Sequence, residues 1–94
     1  MPKANFTYAL KRFFPGIEET EVAKGTVKEV LAQLENSYPG LSGYIVDDQG
    51  RLRQHVNVFV NGTLIEDREA LSDDVGDEDE VYFMQALSGG VVEV

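Results

Sequence analysis

A chain of 94 residues is long enough for one domain but too short for two separate hydrophobic cores. It has no cysteine, no secretion signal at its N-terminus and no run approaching the ~20 apolar residues of a membrane helix, so we expect a soluble cytoplasmic protein without disulfides and without a membrane partner. The net charge of −9 arises entirely in residues 61–94, where ten acidic residues accompany Arg68 alone, and it disfavours nucleic acid as a partner because phosphate contacts need a basic surface.

The first predicted element is a strand over residues 5–14, "NFTYALKRFF", in which Phe6, Tyr8 and Leu10 alternate with less apolar residues. Pro15-Gly16 marks a turn, and a weaker second strand follows over residues 17–23, "IEETEVA". Together these segments predict a hairpin with a loop of several residues.

A helix is predicted within residues 24–40, "KGTVKEVLAQLENSYPG", because the apolar period changes there from two to that of a helix. Thr26 is a good N-cap, and Glu29 completes a T-x-x-E capping box. Pro39-Gly40 ends the helix. Its apolar stripe consists of Val27, Val30, Leu31 and Leu34.

Residues 41–54 form a connection with a possible short strand and a turn at 48–50. The clearest strand follows in "HVNVFVNGTLI", residues 55–65. Its valines at 56, 58 and 60 point to one face and Asn57 and Phe59 to the other. Asn61-Gly62 predicts a type I′ hairpin turn, with residues 63–65 returning as a short strand.

Residues 66–80 are predicted as an acidic loop with a helical turn around Ala70-Leu71. The last strand covers "EVYFMQAL", residues 80–87, with Val81 and Phe83 on one face and Tyr82 and Met84 on the other.

The predicted order is therefore β-β-α-β-β-β. One helix with one apolar stripe must cover one sheet, so the fold class is α+β. If the first and last strands lie side by side in the middle, the fold is a β-grasp: a mixed sheet of four to five strands packed on one main helix. We assign residues 1–88 to this domain and residues 89–94 to a flexible C-terminal tail.

Three motifs resemble a known family. "HVNVFVNG", the acidic turn "VGDEDEV" and a final strand leading to "ALSGG" are similar to the sulfur-carrier proteins of the MoaD/ThiS group. These are ubiquitin-like β-grasp proteins, and MoaD is the small subunit of molybdopterin synthase. The resemblance extends from the first strand to Gly90.

The resemblance implies a carrier that is not itself an enzyme and holds no cofactor or metal. In the family, a ThiF/MoeB-type adenylating enzyme uses ATP to activate the carboxylate of the last glycine. Sulfur then displaces AMP to give a thiocarboxylate, which serves a sulfur-accepting synthase in cofactor biosynthesis, for example that of molybdopterin. Carried to this chain, Gly89 and Gly90 are the tail, and Gly90 bears the activated carboxylate.

The chain departs from the family pattern in the four residues that follow, Val91 to Val94, which hold the Gly90 carboxylate in a peptide bond. Some family members carry such an extension and lose it to a JAMM-type metalloprotease, which implies cleavage between Gly90 and Val91. Two alternatives remain open. The chain is a ubiquitin-like modifier joined to lysines through Gly90, or a β-grasp binding module whose Gly-Gly is incidental.

Phe59, Tyr82 and Met84 are the candidate partner surface. If the valines of the clearest strand face the helix, these three side chains project from the other face of the sheet as an apolar patch, and such patches mark partner surfaces. The resemblance implies that the activating enzyme docks on this face. The alternative is that a loop covers one or two of them.

The remaining polar motifs carry weaker signals. His55 stands without a Ser, Cys or second His in a recognisable motif, so a strand-edge position is favoured over catalysis. The acids of residues 73–80 do not match an EF-hand, and no Lys-Ser/Thr follows Gly62 or Gly76 as a phosphate loop requires. Arg51 and Arg53 either meet an acidic partner or belong to a solvated loop.

Overall fold

A mixed five-stranded sheet forms one layer of the protein in a computed structural model, which describes residues 1–85. Its strands are β1 Lys3–Phe6, β2 Thr20–Glu21, β4 Val56–Val60, β5 Thr63–Leu64 and β7 Glu80–Gln85. They are arranged in the order β2-β1-β7-β4-β5, with β1 and β7 parallel in the middle and the other pairs antiparallel. The predicted β-grasp, with the first and last strands adjacent, is confirmed.

The main helix, α2, covers one face of this sheet and spans Val27–Ser37. Its predicted capping box is present: the main-chain N–H of Glu29 donates to Thr26 Oγ1 at 3.2 Å, and the N–H of Thr26 donates to Glu29 Oε1 at 2.9 Å. The predicted apolar stripe is buried, which is what draws the helix onto the sheet.

The hydrophobic core lies between α2 and the inner face of the sheet. Val56 and Val58 of β4 are fully buried, as are Val81 and Phe83 of β7, and Phe83 stacks on Phe6 with ring centroids 5.8 Å apart. The alternation predicted for both strands is therefore confirmed, with Val60 partly buried against the core.

The predicted first strand is wrong beyond Phe6. Residues Tyr8–Phe13 form a helix, α1, capped by Thr7, whose Oγ1 accepts the N–H of Leu10 at 3.5 Å. Leu10 is buried as predicted, but Tyr8 is 74% exposed. Residues two apart lie on nearly opposite sides of a helix, which is why Leu10 is buried while Tyr8 is exposed, and the Thr7 cap favours the helix at this point. The predicted hairpin survives as β1 and β2, with α1 inside its connection.

Three further elements were not predicted. The connection before β4 contains a short helix, α3 (Ser42–Ile45), and only an isolated bridge between Val46 and Leu52 where a short strand was possible. In the acidic segment, β6 (Asp74–Val75) pairs with β3 (Gly25–Thr26) as a separate two-stranded sheet. Two-residue strands show no measurable alternation, so the sequence gives no signal for them.

The hairpin between β4 and β5 turns as predicted. Asn61 and Gly62 have φ of 52° and 82°, the left-handed pair that a type I′ turn requires. Within the described residues no helix has the length and apolar character needed to cross a bilayer. Ala86 and Leu87 of the predicted last strand, the domain boundary at residue 88 and the tail of residues 89–94 lie outside the described part of the chain.

Candidate functional site

The apolar patch formed by Phe59, Tyr82 and Met84 lies on the sheet face opposite α2. Strand register brings the three together, because Phe59 is paired with Tyr82 and Asn57 with Met84 across β4 and β7. Tyr82 is 38% exposed and the other two are half-buried, and all three line an open depression of about 580 Å³. The structure thus assembles the predicted patch, and none of its members belongs to the core.

A polar rim borders one end of the patch. The rim consists of Asn5, Asn61, Asp79 and Glu80. Asn61 makes three hydrogen bonds to the chain at the start of β7: its main-chain N–H donates to the Glu80 carbonyl oxygen at 2.8 Å, its Oδ1 accepts the Glu80 N–H at 2.9 Å, and its Nδ2 donates to Asp79 Oδ1 at 2.6 Å. The Asn5 side-chain amide donates to the Glu80 carboxylate. The sequence predicts Asn61 only as a turn residue and does not indicate this rim.

The rim also lowers the pKa of one carboxyl group, that of Asp79. The main-chain N–H of Gly76 and the side-chain amide of Asn61 both donate to Asp79 and lower the pKa of its carboxyl. The next residue, Glu80, lines the depression itself, so the apolar patch has an acidic side chain at its border.

The remaining acids of this half of the chain shape the loop before β7. Asp73 accepts the N–H groups of Glu66 and Asp67, and Asp67 accepts those of Glu69 and Ala70. Among residues 1–85 no three His, Asp or Glu side chains converge as a metal-binding group. The sequence predicts an acidic loop over these residues without assigning the carboxylates a role, although Asp at a turn is a recognised signal for such main-chain capping.

His55 is exposed in the turn that precedes β4, at the strand edge, as predicted. It lines a second groove together with Arg51 and Arg53, which the sequence singled out, and with Arg68, which it did not connect to them. The signal for Arg68 was available, since it is the one basic residue among ten acids in residues 61–94.

The predicted tail residues Gly89 and Gly90 and the predicted cleavage point at Val91 lie outside the described residues. In the sequence, Gly90 follows Gln85, the last residue of β7, by five positions. The strand that carries Tyr82 and Met84 is therefore the last described element before the Gly-Gly pair.

Comparison with known proteins places these features in a family context. The family model described as "ThiS family" matches residues 9–90. Small archaeal modifier protein 3 of Haloferax volcanii is 35% identical over 65 residues, which cover 69% of this chain and 70% of that protein. Sulfur carrier protein CysO of Mycobacterium tuberculosis is 29% identical over 77 residues, which cover 80% of this chain and 83% of that protein.

Among solved structures, the crystal structure of the Amycolatopsis orientalis BexX/CysO complex contains a chain that superposes with a TM-score of 0.80 at 22% identity. The superposition covers 96% of this chain and 100% of that one. At this identity the likeness bears on the fold alone, and it agrees with the sheet order described above.

Proposed function

This chain belongs to the ThiS family, and we propose that it is a sulfur-carrier protein, not itself an enzyme, that acts through the carboxylate of Gly90. The observation that carries the proposal is the extent of the family match, which reaches the second glycine of the pair and leaves Val91 to Val94 outside. The name of the CysO relative supports a role in carrying sulfur.

The first chemical step is hydrolysis. A metalloprotease of the JAMM type adds water across the Gly90–Val91 peptide bond, and this frees the Gly90 carboxylate and the amine of Val91. Glycine at both tail positions suits this step and the next, because a backbone without side chains can enter a narrow enzyme channel.

Activation and sulfur loading follow on a ThiF/MoeB-type adenylating enzyme, which supplies the ATP site. A Gly90 carboxylate oxygen attacks the α-phosphorus of ATP, and pyrophosphate leaves. A sulfur donor at the oxidation level of sulfide then attacks the acyl carbon, and AMP leaves with the bridging oxygen. The product is a Gly90 thiocarboxylate, with no change of oxidation state, ready for a sulfur-accepting synthase in cofactor or metabolite biosynthesis.

In this scheme the described domain positions the tail. The apolar patch of Phe59, Tyr82 and Met84 gives the adenylating enzyme a surface to hold, and β7 delivers the tail from the centre of the sheet. A rigid central strand is well suited to this task, because it fixes where the tail begins relative to the docked surface.

The test compares three forms of the chain in ATP–pyrophosphate exchange with the host's adenylating enzyme: residues 1–94, residues 1–90 and residues 1–89. We expect exchange with the form ending at Gly90 and none with the other two. Intact-mass measurement of the native protein should find a chain ending at Gly90, with sulfur replacing one oxygen. A native protein that functions while retaining Val91 to Val94 in every molecule contradicts the proposal.

A second function has support of its own, since one relative is named a small archaeal modifier protein. In that case the activated Gly90 carbonyl passes to a lysine amine of a target protein. Tryptic digestion of whole-cell protein distinguishes the two. Arg68 is the last trypsin site before Gly90, so a modifier leaves residues 69–90 joined by an isopeptide bond to target lysines, whereas a dedicated carrier leaves only the thiocarboxylate.

A further inference from the structure

A second groove, of about 770 Å³, lies where β4 begins and β7 ends. We call it the basic groove, and the basic side chains that line it are those of Arg51, Arg53, Arg68 and His55. These residues come from two connections far apart in the sequence, and they converge in a protein whose net charge is −9.

Arg68 and Arg53 are oriented by neutral acceptors. Arg68 is half-buried and donates to Asn57 Oδ1 at 3.1 Å and to the Arg53 carbonyl oxygen at 2.8 Å. Arg53 Nε donates to the Gly43 carbonyl oxygen at 2.8 Å. Within residues 1–85 neither guanidinium forms an ion pair with a carboxylate. Both positive charges are therefore held in place but not neutralised.

Two acids also line the groove and differ in effect. Asp47 pairs with Arg51, Nε to Oδ2 at 3.4 Å, which compensates that arginine. Glu69 is exposed and forms no ion pair within the described residues. The uncompensated cations are thus Arg53 and Arg68, with Glu69 as the one free carboxylate that weakens their field.

The groove also holds an unused acceptor. Gln85 Oε1 is buried without a hydrogen-bond donor within the described residues. A buried acceptor needs an N–H or O–H. A small anion such as phosphate brings its O–H on the same atom group that the arginines would bind, whereas an extended peptide offers main-chain N–H groups at a distance from its side-chain carboxylates and can reach the arginines and Gln85 together. A long polyanion such as nucleic acid would be repelled by the acidic remainder of the surface.

We propose that the basic groove docks an acidic peptide segment of a partner protein, with its carboxylates on Arg53 and Arg68 and a main-chain N–H on Gln85. Gln85 ends the strand that leads to Gly89 and Gly90, so a protein acting on that pair works beside this groove. This choice of partner rests on the proposed function, while the binding chemistry rests on the groove alone. No residue lines both the basic groove and the depression of the apolar patch, and no Lys or Arg lines that depression. The two surfaces are neighbours, because Arg68 bonds to Asn57, which is paired with Met84 across β4 and β7.

The first test is a titration of the ¹⁵N-labelled full chain followed by NMR. The probe is a blocked pentapeptide in which valines alternate with one aspartate and one glutamate, and the matched control replaces these acids with asparagine and glutamine. We expect the acidic peptide to shift the signals of Arg53, His55 and the Gln85 side-chain amide, and to bind about tenfold more tightly than its neutral control. Added salt should weaken this binding.

Inorganic phosphate is titrated separately to distinguish a simple anion from a peptide. It should shift the arginine signals weakly and leave the Gln85 amide unchanged. Equal affinity for the acidic and neutral peptides overturns the proposal, and so does phosphate binding that matches the acidic peptide in strength and in the signals affected.

Variants separate charge from folding. Replacing both cations, Arg53→Gln with Arg68→Gln, should weaken the acidic peptide about tenfold, whereas Lys24→Gln, an exposed cation elsewhere, should not. Because the arginines also bond to the main chain, Glu69→Gln provides a second measurement on an exposed residue. It should tighten binding about threefold, and an unchanged affinity contradicts the proposal.

The outcome is independent of the carrier chemistry. A chain that binds the acidic peptide but whose form ending at Gly90 is never adenylated would refute the proposed function and leave the groove assignment intact. Adenylation of the form ending at Gly90 without peptide binding would refute the groove assignment and leave the proposed function intact.

Discussion

Neighbouring residues of β7 have opposite roles because a strand sends successive side chains to opposite faces. Phe83 is fully buried under α2, while Tyr82 and Met84 open onto the apolar patch. A shift of one position along β7 therefore separates a side chain of the hydrophobic core from one on the outer face of the sheet.

Phe59→Asp tests the patch. Phe59 is half-buried on the outer face, so a carboxylate there should repel an apolar partner surface while leaving the core untouched. We expect the KM of the adenylating enzyme for the chain ending at Gly90 to rise about tenfold or more, with little change in the unfolding temperature. The matched control is Tyr8→Asp on α1, where the aromatic ring is exposed but outside the patch. A large loss of stability in Phe59→Asp would instead place Phe59 in the core.

The Asp67 carboxylate makes stability depend on pH. The Ser72 hydroxyl and then the Ala70 N–H donate to it and lower its pKa from 3.8 to about 2. Because the folded pKa lies below the unfolded value, this carboxylate stabilises the fold above about pH 4, and the contribution is lost as the pH falls through the folded pKa. The pKa values of Glu35, Asp47 and Asp79 are lowered as well and act in the same direction.

Thermal unfolding of the wild type and Asp67→Asn from pH 7 downwards measures this effect. The variant should be less stable at neutral pH, and the two unfolding temperatures should converge as the pH approaches about 2. Asp48→Asn, an exposed site in the neighbouring turn region, is the control. A gap between wild type and Asp67→Asn that stays constant over the whole range contradicts the role of Asp67.

At the scale of an element, the start of α2 depends on a glycine. Gly25 has φ of +154°, and a Cβ added there would lie 2.3 Å from Glu29 Oε1, the atom that accepts the Thr26 N–H. A side chain at this position would push Glu29 out of the capping box. The reciprocal capping at the start of helix α2 therefore depends on the space left at position 25.

Gly25→Ala is therefore expected to destabilise the protein by about 1–2 kcal/mol, the usual cost of a lost cap with some backbone strain added. Gly43→Ala is the matched control, because an added Cβ there meets nothing within 4 Å and the residue lies in helix α3. Urea denaturation measures both. If the two variants unfold at the same urea concentration, Gly25 has no special role in the cap.

At the scale of the whole molecule, β7 is the central strand of the five-stranded sheet. It pairs with β1 on one side and β4 on the other, and its inner face fills the centre of the core with Phe83. Its outer face carries part of the patch, and its end leads to the Gly-Gly pair. In the proposed function, this one strand therefore carries part of the docking surface and also precedes the tail.

A pair of adjacent truncations tests this arrangement. Phe83→Ala should cost about 3–5 kcal/mol in the free energy of unfolding, as is usual for a buried phenylalanine. Tyr82→Ala, with 38% of the side chain exposed, should cost much less and should mainly weaken the adenylating enzyme's hold. Equal losses of stability would show that the two faces of β7 are not divided as described.

The sequence alone determined the elements whose signals are local and repeated. The capping box and stripe of α2, the Asn61-Gly62 turn, and the alternation of β4 and β7 each depend on neighbouring residues, so the central fold and the patch of Phe59, Tyr82 and Met84 could be predicted. Only the tertiary structure decided the rest. The strands β3 and β6 formed, and Arg68 came to lie beside Arg53 with Gln85, because those outcomes depend on contacts between segments distant in the chain, which no local pattern encodes. Helix Tyr8–Phe13 is an intermediate case, since its Thr7 cap is a local signal but the apolar alternation around it predicts a strand.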